Sequence, residues 1–240
     1  MDRHFEGQVA LITGGGKGIG LGIATALANR GARVAISGRN REVLDSAVAQ
    51  LRGSVCALKM DVRDESSVRK GVAQVVEWGG KLDIVVNNAG IGLLETPMIE
   101  TSSDAWKDVI ETNLTGCFFV AHAAWPLLVA SKGQLLNVAS VAGTQGFAGA
   151  SAYCASKFGL NGLAEVLKME GAPLGIRVLS LCPGAVSTDI WGEMATDGVK
   201  SKMMGAEQIG ELAAHMLATP RNIDLAKWVV LNATSPWTED

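Results

Sequence analysis

Short apolar runs alternate with longer amphipathic segments along almost the whole chain. Seven of these runs are rich in Val, Ile and Leu and predict β-strands: VALIT (9–13), RVAIS (33–37), VCALK (55–59), DIVVN (83–87), QLLNVA (134–139), RVLSLC (177–182) and WVVL (228–231). Most of them lack the apolar–polar alternation of a half-exposed strand, which is typical of strands covered on both faces.

The segments between the strands have helical periodicity and predict helices at 19–30, 41–52, 65–78, 105–130, 151–170 and 206–218. Strands and helices that alternate at this rhythm predict an α/β fold with a doubly wound parallel sheet of about seven strands and helices on both faces. No linker or change of composition divides residues 1–240, so we predict a single domain. The helices that begin near Ser103 and Tyr153 are long, and we expect their exposed faces to form subunit contacts.

Composition and charge exclude several classes of partner. The net charge is −3 and no long basic run is present, so we expect neither nucleic acid nor an anionic membrane surface as a partner. The apolar run 117–130 contains His122 and Pro126, and we expect it to fall short of a membrane span. The chain does not open on a secretion signal, and its four cysteines lack metal-ligand spacing. These features predict a cytoplasmic protein without a metal site.

A glycine-rich turn follows the first predicted strand directly. Gly14, Gly18 and Gly20 lie in TGGGKGIG with the spacing TGxxxGxG, which matches neither a Walker A loop nor GxGxxG. Glycines at a strand-to-helix turn let the backbone approach a phosphate, whose charge is stabilised by the helix N-terminus. Tight turns that bind no ligand also use glycine, but the position after the first strand favours a dinucleotide site.

The end of the second predicted strand indicates which dinucleotide is preferred. An NAD-binding turn is usually followed, about 20 residues later, by an acidic side chain that accepts the ribose 2′-hydroxyl. Here the sequence is Ser37-Gly38-Arg39, and the first acid is Glu42. Arg39 has the planar donor geometry that suits a phosphate, and Lys17 in the glycine turn is a second cation. Together they favour NADP(H).

The only tyrosine of the chain, Tyr153, lies four residues before Lys157 in a predicted helix. A free phenol has a pKa of about 10 and is a poor base at neutral pH. Residues i and i+4 share a helix face, so we expect Lys157 to favour the phenolate of Tyr153. Ser140 follows the fifth strand, where its hydroxyl could donate to a substrate oxygen. Asn113 lies in a long helical segment and could hold a water.

Six motifs in this order resemble the short-chain dehydrogenase/reductase family in its compact form. They are TGGGKGIG (13–20), NNAG (87–90), Asn113, Ser140, Tyr153-x-x-x-Lys157 and PGAVST (183–188). The resemblance covers nearly the whole chain and implies a Rossmann-type fold and hydride transfer between a nicotinamide and a carbonyl or alcohol carbon. It also implies a homodimer or homotetramer that associates through the two long helices.

The resemblance further implies a role for each matching residue. Tyr153 would be the general acid/base, Lys157 would assist it and bind the nicotinamide ribose, Ser140 would orient the substrate oxygen, and Asn113 would hold a relay water. The implied cofactor-binding residues are Gly14, Gly16, Lys17, Gly18, Ile19, Gly20, Arg39, Asp61, Val62, Asn88, Ala89, Gly90, Tyr153, Lys157, Pro183, Gly184, Val186 and Thr188. Among these, Asp61 would contact the adenine amine.

The chain departs from the family pattern at two places, and the first of these bears on the substrate. The segment 222–240 lacks the ITG…GG ending of the acyl-carrier-protein reductases, which favours small hydroxy acids, ketones or sugars as substrates. Ala139 replaces a frequent second serine. A 3-oxoacyl thioester reductase, an NAD-linked alcohol dehydrogenase and a non-catalytic NADP(H) sensor remain open as alternatives.

The segment 189–205 is predicted to be a substrate lid. Its candidate apolar lining residues are Trp191, Met194, Met203 and Met204.

Overall fold

A computed structural model describes residues 3–225 and 227–237. Every predicted strand is present within one residue at either end. The strands are β1 (Val9–Thr13), β2 (Arg33–Gly38), β3 (Val55–Lys59), β4 (Ile84–Asn87), β5 (Gln134–Val138), β6 (Arg177–Pro183) and β7 (Lys227–Val230). Within the described residues they form one sheet of seven strands, and each neighbouring pair is parallel.

The strand order is β3-β2-β1-β4-β5-β6-β7. The chain therefore winds outward from β1 to β3, returns to place β4 on the other side of β1, and continues to β7. In an open parallel sheet, the crevice beyond the strand ends at such a reversal is the usual ligand site. The prediction of a doubly wound, Rossmann-type sheet is confirmed, and its reversal lies between β1 and β4.

Helices cover both faces of the sheet. Those of the described residues are α1 (Gly18–Asn29), α2 (Arg41–Gln50), α3 (Glu65–Gly79), α4 (Ser103–Ile110), α5 (Gly116–Ser131), α6 (Ser151–Gly171), α7 (Asp197–Ser201) and α8 (Ala206–Ala218). Each strand sends alternate side chains to opposite faces. In β1, Ala10 and Ile12 join a core with α1 and α8, whereas Val9 and Leu11 join a core with α3 and α5. Both faces are buried, which explains the continuous apolar runs.

The helix predicted at 105–130 is interrupted in its hydrogen bonding. A single π-helical turn, Glu111–Thr115, joins α4 to α5, and the backbone keeps right-handed helical φ and ψ angles at both junctions. Asn113 lies in that turn. Such turns insert one extra residue into a helix and are frequent at functional sites. Periodicity of 3.6 residues does not reveal them.

The continuous helix Ser103–Ser131 corrects one expectation from the sequence. By length and composition it is apolar enough to cross a membrane, although the run 117–130 had been expected to be too short. Its Val120, Ala124 and Leu128 are buried in the core beside α3 and the sheet. One face of this helix therefore packs in the core, and the segment contains the π-helical turn at Asn113. Length and composition alone are therefore weak evidence for a span.

Candidate active site

The turn after β1 brings the backbone close to the loop after β4. Gly14 has a φ of 63°, in the left-handed region that favours glycine. A Cβ added to Gly14 would lie 2.9 Å from the Ala89 Cα, so only a glycine permits this approach. Helix α1 then begins with no side-chain cap and no acidic residue in its first turn. Its first N–H groups are therefore available to an anion at the reversal of the sheet.

The Thr13 hydroxyl joins these two loops. Its Oγ1 accepts hydrogen bonds from the backbone N–H groups of Asn88 and Ala89, each at 3.0 Å, and lies 3.3 Å from the Val86 carbonyl oxygen. The Asn88 side-chain amide in turn donates to the carbonyl oxygens of Thr13 (2.9 Å) and Gly14 (3.2 Å). This network fixes the ends of β1 and β4 relative to each other.

A cavity of about 1040 Å³ lies over this reversal. Its volume is at the upper end of the range for small-molecule sites, large enough for a dinucleotide. Most of the residues expected at the cofactor line it: Gly14, Gly16, Lys17, Gly18, Ile19, Arg39, Asp61, Val62, Asn88, Ala89, Gly90, Tyr153, Lys157 and Thr188. These lining residues come from parts of the chain as far apart as Gly14 and Thr188, whereas Ser140 and Asn113 are not among the residues that line the cavity.

The other candidates lie behind the cavity wall. Gly20 is buried in α1, where a Cβ would overlap the Gly14 carbonyl oxygen and the Asn88 amide. Pro183 ends β6, and the Gly184 N–H donates to Val230 at 2.8 Å. Val186 is buried in the core. These residues support the wall through the backbone rather than through a side chain in the cavity.

Tyr153 and Lys157 lie one helical turn apart at the start of α6, and both line the cavity. Lys157 is almost completely buried, and its Nζ donates to the carbonyl oxygen of Val138, the last residue of β5, at 2.8 Å. The same Nζ lies 5.8 Å from the centre of the Tyr153 ring. The lysine therefore links α6 to the edge of the sheet and places a positive charge beside the phenol.

Ser140 is placed by a short 3-10 helix, Val141–Gly143, that packs against α6. The Ser140 Oγ accepts from the Ala142 N–H at 3.1 Å and caps this helix. A Cβ on Gly143 would lie 2.6 Å from both the Lys157 carbonyl oxygen and the Asn161 Nδ2, and Asn161 donates to the Gly143 carbonyl at 3.0 Å. Glycine thus lets the turn after Ser140 lie directly on the helix that carries Tyr153 and Lys157.

Asn113 holds the loop after β4 against the π-helical turn. Its Oδ1 accepts from the Ile91 N–H at 2.8 Å, and its Nδ2 donates to the Ile91 carbonyl at 2.9 Å and to the Ser156 hydroxyl at 3.2 Å. The side chain is fully buried. Both amide hydrogens are bonded to protein groups, so the expected relay water would have to be held by acceptors of this residue.

The charged residues that line the cavity differ in how they are paired. Lys17 forms an ion pair with Asp189 at 2.8 Å, whereas Arg39 has no ion-pair partner within residues 3–225 and 227–237. Asp61 is paired with Arg63 at 2.7 Å, and the hydrogen bonds from Arg63 hold the pKa of that carboxyl below its usual value. The carboxylate expected to meet an adenine amine is therefore already anchored by a neighbouring arginine.

Comparison with known proteins identifies the family. The family model described as "short chain dehydrogenase" matches residues 8–198, which is most of the chain. This chain belongs to the short-chain dehydrogenase family.

The names of relatives in this family refer to different alcohols. It is 36% identical over 203 residues to a 3beta-hydroxysteroid dehydrogenase of Mediterraneibacter gnavus, covering 83% of this chain and 73% of the relative. It is 39% identical over 201 residues to a D-threitol dehydrogenase of Mycolicibacterium smegmatis, covering 82% and 76%. An alcohol dehydrogenase of Thermococcus sibiricus, solved in complex with 5-hydroxy-NADP, superposes with a TM-score of 0.88 at 26% identity and covers 94% and 97%.

The segment 189–205 of the dehydrogenase forms a 3-10 helix, Asp189–Met194, followed by α7. Ile190 lines the cavity, but none of the four apolar candidates in this segment does. Trp191 donates its indole N–H to the Val186 carbonyl at 2.8 Å and Met203 is buried, while Met204 packs against the main core. The expectation that these side chains line the pocket is not met in this conformation, because backbone and core contacts occupy them.

The cysteines of the dehydrogenase are free thiols. Burial raises the pKa of the Cys56 and Cys117 thiols to about 11, and burial also raises the pKa of Cys182. Among the described residues, no group of three or more His, Cys, Asp and Glu side chains could hold a metal ion.

Sequence reasoning missed Thr13, Arg63 and Asp189 at this site. Thr13 follows an apolar strand and gives no signal beyond its place before the glycine turn. Arg63 lies two residues after Asp61, and this short spacing of opposite charges is a local signal for the ion pair that the structure shows. Asp189 meets Lys17 only because the fold joins two turns that are 172 residues apart in the chain.

Replacing Thr13 by Val should lower the free energy of unfolding by about 1–3 kcal/mol, because two backbone N–H groups lose their acceptor. Valine has nearly the same shape, so the loss reports the hydroxyl. Denaturant unfolding followed by circular dichroism measures the difference. Thr13→Ser keeps the hydroxyl and is the matched control, expected to retain most of the stability. Equal stability of the Val variant and the unmodified protein would contradict the role given to this hydroxyl.

Proposed function

We propose that this protein is an NADP(H)-dependent oxidoreductase that interconverts a carbonyl group and a secondary alcohol of a small substrate. The observation that carries the proposal is the pair Tyr153 and Lys157, which lines the same cavity as the glycine turn and has its ammonium 5.8 Å from the phenol ring. A candidate proton donor and the glycine turn thus line one cavity that is large enough for a dinucleotide. Such a combination suits hydride transfer coupled to proton transfer.

The chain fits a dinucleotide phosphate cofactor on three counts. The glycine turn leaves the space that a Cβ would fill, the first N–H groups of α1 have no side-chain cap, and Arg39 has no ionic partner in the described part of the chain. A guanidinium without a partner beside a cleft is suited to a phosphate monoester. When bound, the cofactor supplies or accepts a hydride at its nicotinamide ring. The buried ammonium of Lys157 would hold the ribose hydroxyls next to that ring.

The residues of the chain have separate tasks in the proposed reaction. Tyr153 donates its phenol proton to the substrate oxygen when a carbonyl is reduced, and accepts a proton from the alcohol in the reverse direction. Ser140 donates a hydrogen bond to the same oxygen and stabilises the charge that develops there. Lys157 stabilises negative charge on the phenol oxygen through its ammonium. Asn113 keeps the loop at Ile91 in place through its two backbone hydrogen bonds.

The substrate class follows from the family and from the walls of the site. The names of two relatives describe a hydroxysteroid and a sugar alcohol as substrates, and both carry hydroxyl groups on carbon. We propose a ketone, a 3-oxo acid or ester, or a sugar for this chain, with residues 189–205 as the lid over it. Its buried free thiols are consistent with a reducing compartment, and we propose a cytoplasmic location.

Replacement of Tyr153 by Phe tests the proposed chemistry. Loss of the proton donor should lower kcat by about 100-fold or more, in line with the usual contribution of general acid–base catalysis. NADPH oxidation is followed at its nicotinamide absorbance with a panel of ketones, 3-oxo esters and keto sugars. The cofactor dissociation constant of this variant, measured by fluorescence titration, should change little, because the phenol oxygen is offered to the substrate.

Two results would contradict this function. The first is the absence of NADPH oxidation and of NADP-dependent alcohol oxidation over the whole panel with the unmodified protein. The second is an undiminished kcat in the Phe variant. Glu170→Gln, at an exposed position near the end of the same helix and outside its exposed apolar side chains, controls for general disturbance of α6 and should leave kcat within a few-fold.

Replacement of Arg39 by Asp tests the choice of cofactor. A charge-assisted contact contributes about 1.5–3 kcal/mol, so the ratio of kcat/KM with NADPH to kcat/KM with NADH should fall about 10- to 100-fold. Arg69→Asp makes the same change of net charge at an exposed ion pair on α3 and is the control for net charge. A preference of the unmodified protein for NADH would show that Arg39 does not select the phosphate.

We also propose that the protein associates with copies of itself through α5 and α6. Four apolar side chains on these helices are exposed in the single chain: Phe118, Phe158, Val166 and Met169. Phe158 and Val166 are two helical turns apart on one face, with the exposed Gly162 between them. A continuous apolar stripe on long helices is suited to helix packing between subunits.

Replacement of Val166 by Glu should shift the protein toward the monomer, because a carboxylate buried in this interface would have no partner. A penalty of about 3 kcal/mol raises the dissociation constant about 100-fold. Light scattering after size exclusion measures the mass over a dilution series. Ile99→Glu places the same charge at an exposed apolar position outside the two helices and should leave the mass unchanged. A monomeric unmodified protein would refute the proposed assembly.

A further inference from the structure

Lys17 is the positively charged residue of the glycine turn, and it forms an ion pair with Asp189. Its Nζ lies 2.8 Å from the Oδ2 of Asp189. The ion pair thus joins the turn after β1 to the start of the 3-10 helix Asp189–Met194. Both side chains are largely exposed, at 67% and 75%. Both also line the cofactor cavity. The pair therefore lies at the mouth of the cleft and not in the core.

Several contacts hold Asp189 at this position. Thr188 packs on the glycine turn, where a Cβ on Gly18 would lie 3.2 Å from the Thr188 Cγ2. Ile190 covers Gly92, whose added Cβ would lie 2.9 Å from the Ile190 Cγ1. Trp191 then donates to the Val186 carbonyl and packs edge-on against Trp237, with 5.4 Å between the rings.

Because its neighbours on both sides are fixed, the carboxylate of Asp189 remains within reach of Lys17. The hydrogen bond and charge of Lys17 hold the pKa of Asp189 below its usual value. The carboxylate is therefore ionised at neutral pH.

We propose that Asp189 determines cofactor discrimination by competing with the 2′-phosphate of NADP(H) for Lys17. The inference rests on the proposed function, since it assumes a dinucleotide in this cavity. A 2′-phosphate that uses Lys17 must either displace the carboxylate or share the ammonium with it. Either way part of the attraction is lost. NAD(H) has no 2′-phosphate and is not subject to this competition.

The charges near the phosphate give the direction of the effect. Lys17 and Arg39 together contribute two positive charges, and Asp189 reduces their sum to one. Exposed ion pairs contribute less than about 1 kcal/mol, so removing the competing carboxylate should strengthen NADPH binding by about two- to five-fold. Arg39 forms no salt bridge among the described residues, and its charge attracts the Asp61 carboxylate of the same cavity; in the proposal it is the main phosphate contact. Asp189 therefore tunes a preference that the arginine creates.

The test measures NADPH and NADH dissociation constants of the full chain by fluorescence titration. Asp189→Asn keeps the shape of the side chain and removes its charge, and it should raise the ratio of NADPH affinity to NADH affinity about two- to five-fold. Glu193→Gln is the matched control, because Glu193 lies four residues further along the same segment, is exposed and does not line the cavity. Its affinity ratio should equal that of the unmodified protein. Thermal unfolding verifies that each variant is folded, and Asp189→Ser is the alternative if Asn is not.

A double-mutant cycle separates competition from simple repulsion between Asp189 and the phosphate. With Lys17→Met as the background, Asp189→Asn should no longer change the affinity ratio. The effect in the unmodified background should also decrease at high salt.

Three results would overturn the proposal while leaving the proposed function intact. They are an unchanged ratio in Asp189→Asn, an effect that persists in Lys17→Met, and an NADPH affinity that does not depend on Lys17. Failure of the unmodified protein to bind either cofactor would overturn both proposals.

Discussion

The buried ammonium of Lys157 determines how the active-site elements are arranged. A charged group removed from water must have hydrogen-bond partners, and the described residues provide one acceptor, the Val138 carbonyl at 2.8 Å. That carbonyl is at the end of β5, so the bond fixes the first turns of α6 over the edge of the sheet. Tyr153 is one turn earlier in the same helix and Ser140 is two residues after Val138. One interaction therefore positions the three groups of the proposed chemistry.

Lys157 also lines the cavity, so the ammonium lies at its wall. An ammonium has three hydrogens, and a carbonyl uses one of them. The cleft beside the others is the one that the glycine turn and the Asn88 loop line. The reversal of the sheet between β1 and β4 creates that cleft, and Thr13 holds its two sides together through the Asn88 and Ala89 N–H groups. A ligand with hydroxyl groups would complete the hydrogen bonding of the lysine.

The parts of this site that were predictable from sequence are those encoded by local spacing. The strands follow from apolar runs, the glycine turn from the glycines after β1, and the Tyr153–Lys157 pair from the i, i+4 rule. The structure places the glycine turn and this pair along one cavity. The π-helical turn at Asn113 was not predictable, because one extra residue in a helix leaves no trace in the pattern. Nor were the partners of Asn113, since Ile91 and Ser156 come from different loops and helices. Met203 and Met204 were candidates for the lining of the substrate site, and the structure packs Met203 inside the protein and Met204 against the core.

The segment after β6 contacts both the glycine turn and the loop after β4. Its first residues pack on the glycine turn, Ile190 covers the loop after β4, and Trp191 bonds back to Val186 and packs on Trp237. A change in any of these contacts moves Asp189 relative to Lys17, because few rotatable bonds separate them. The ion pair between Lys17 and Asp189 adds one more contact between this segment and the glycine turn. Under the proposed function, the same segment would therefore contact the cofactor and cover the substrate.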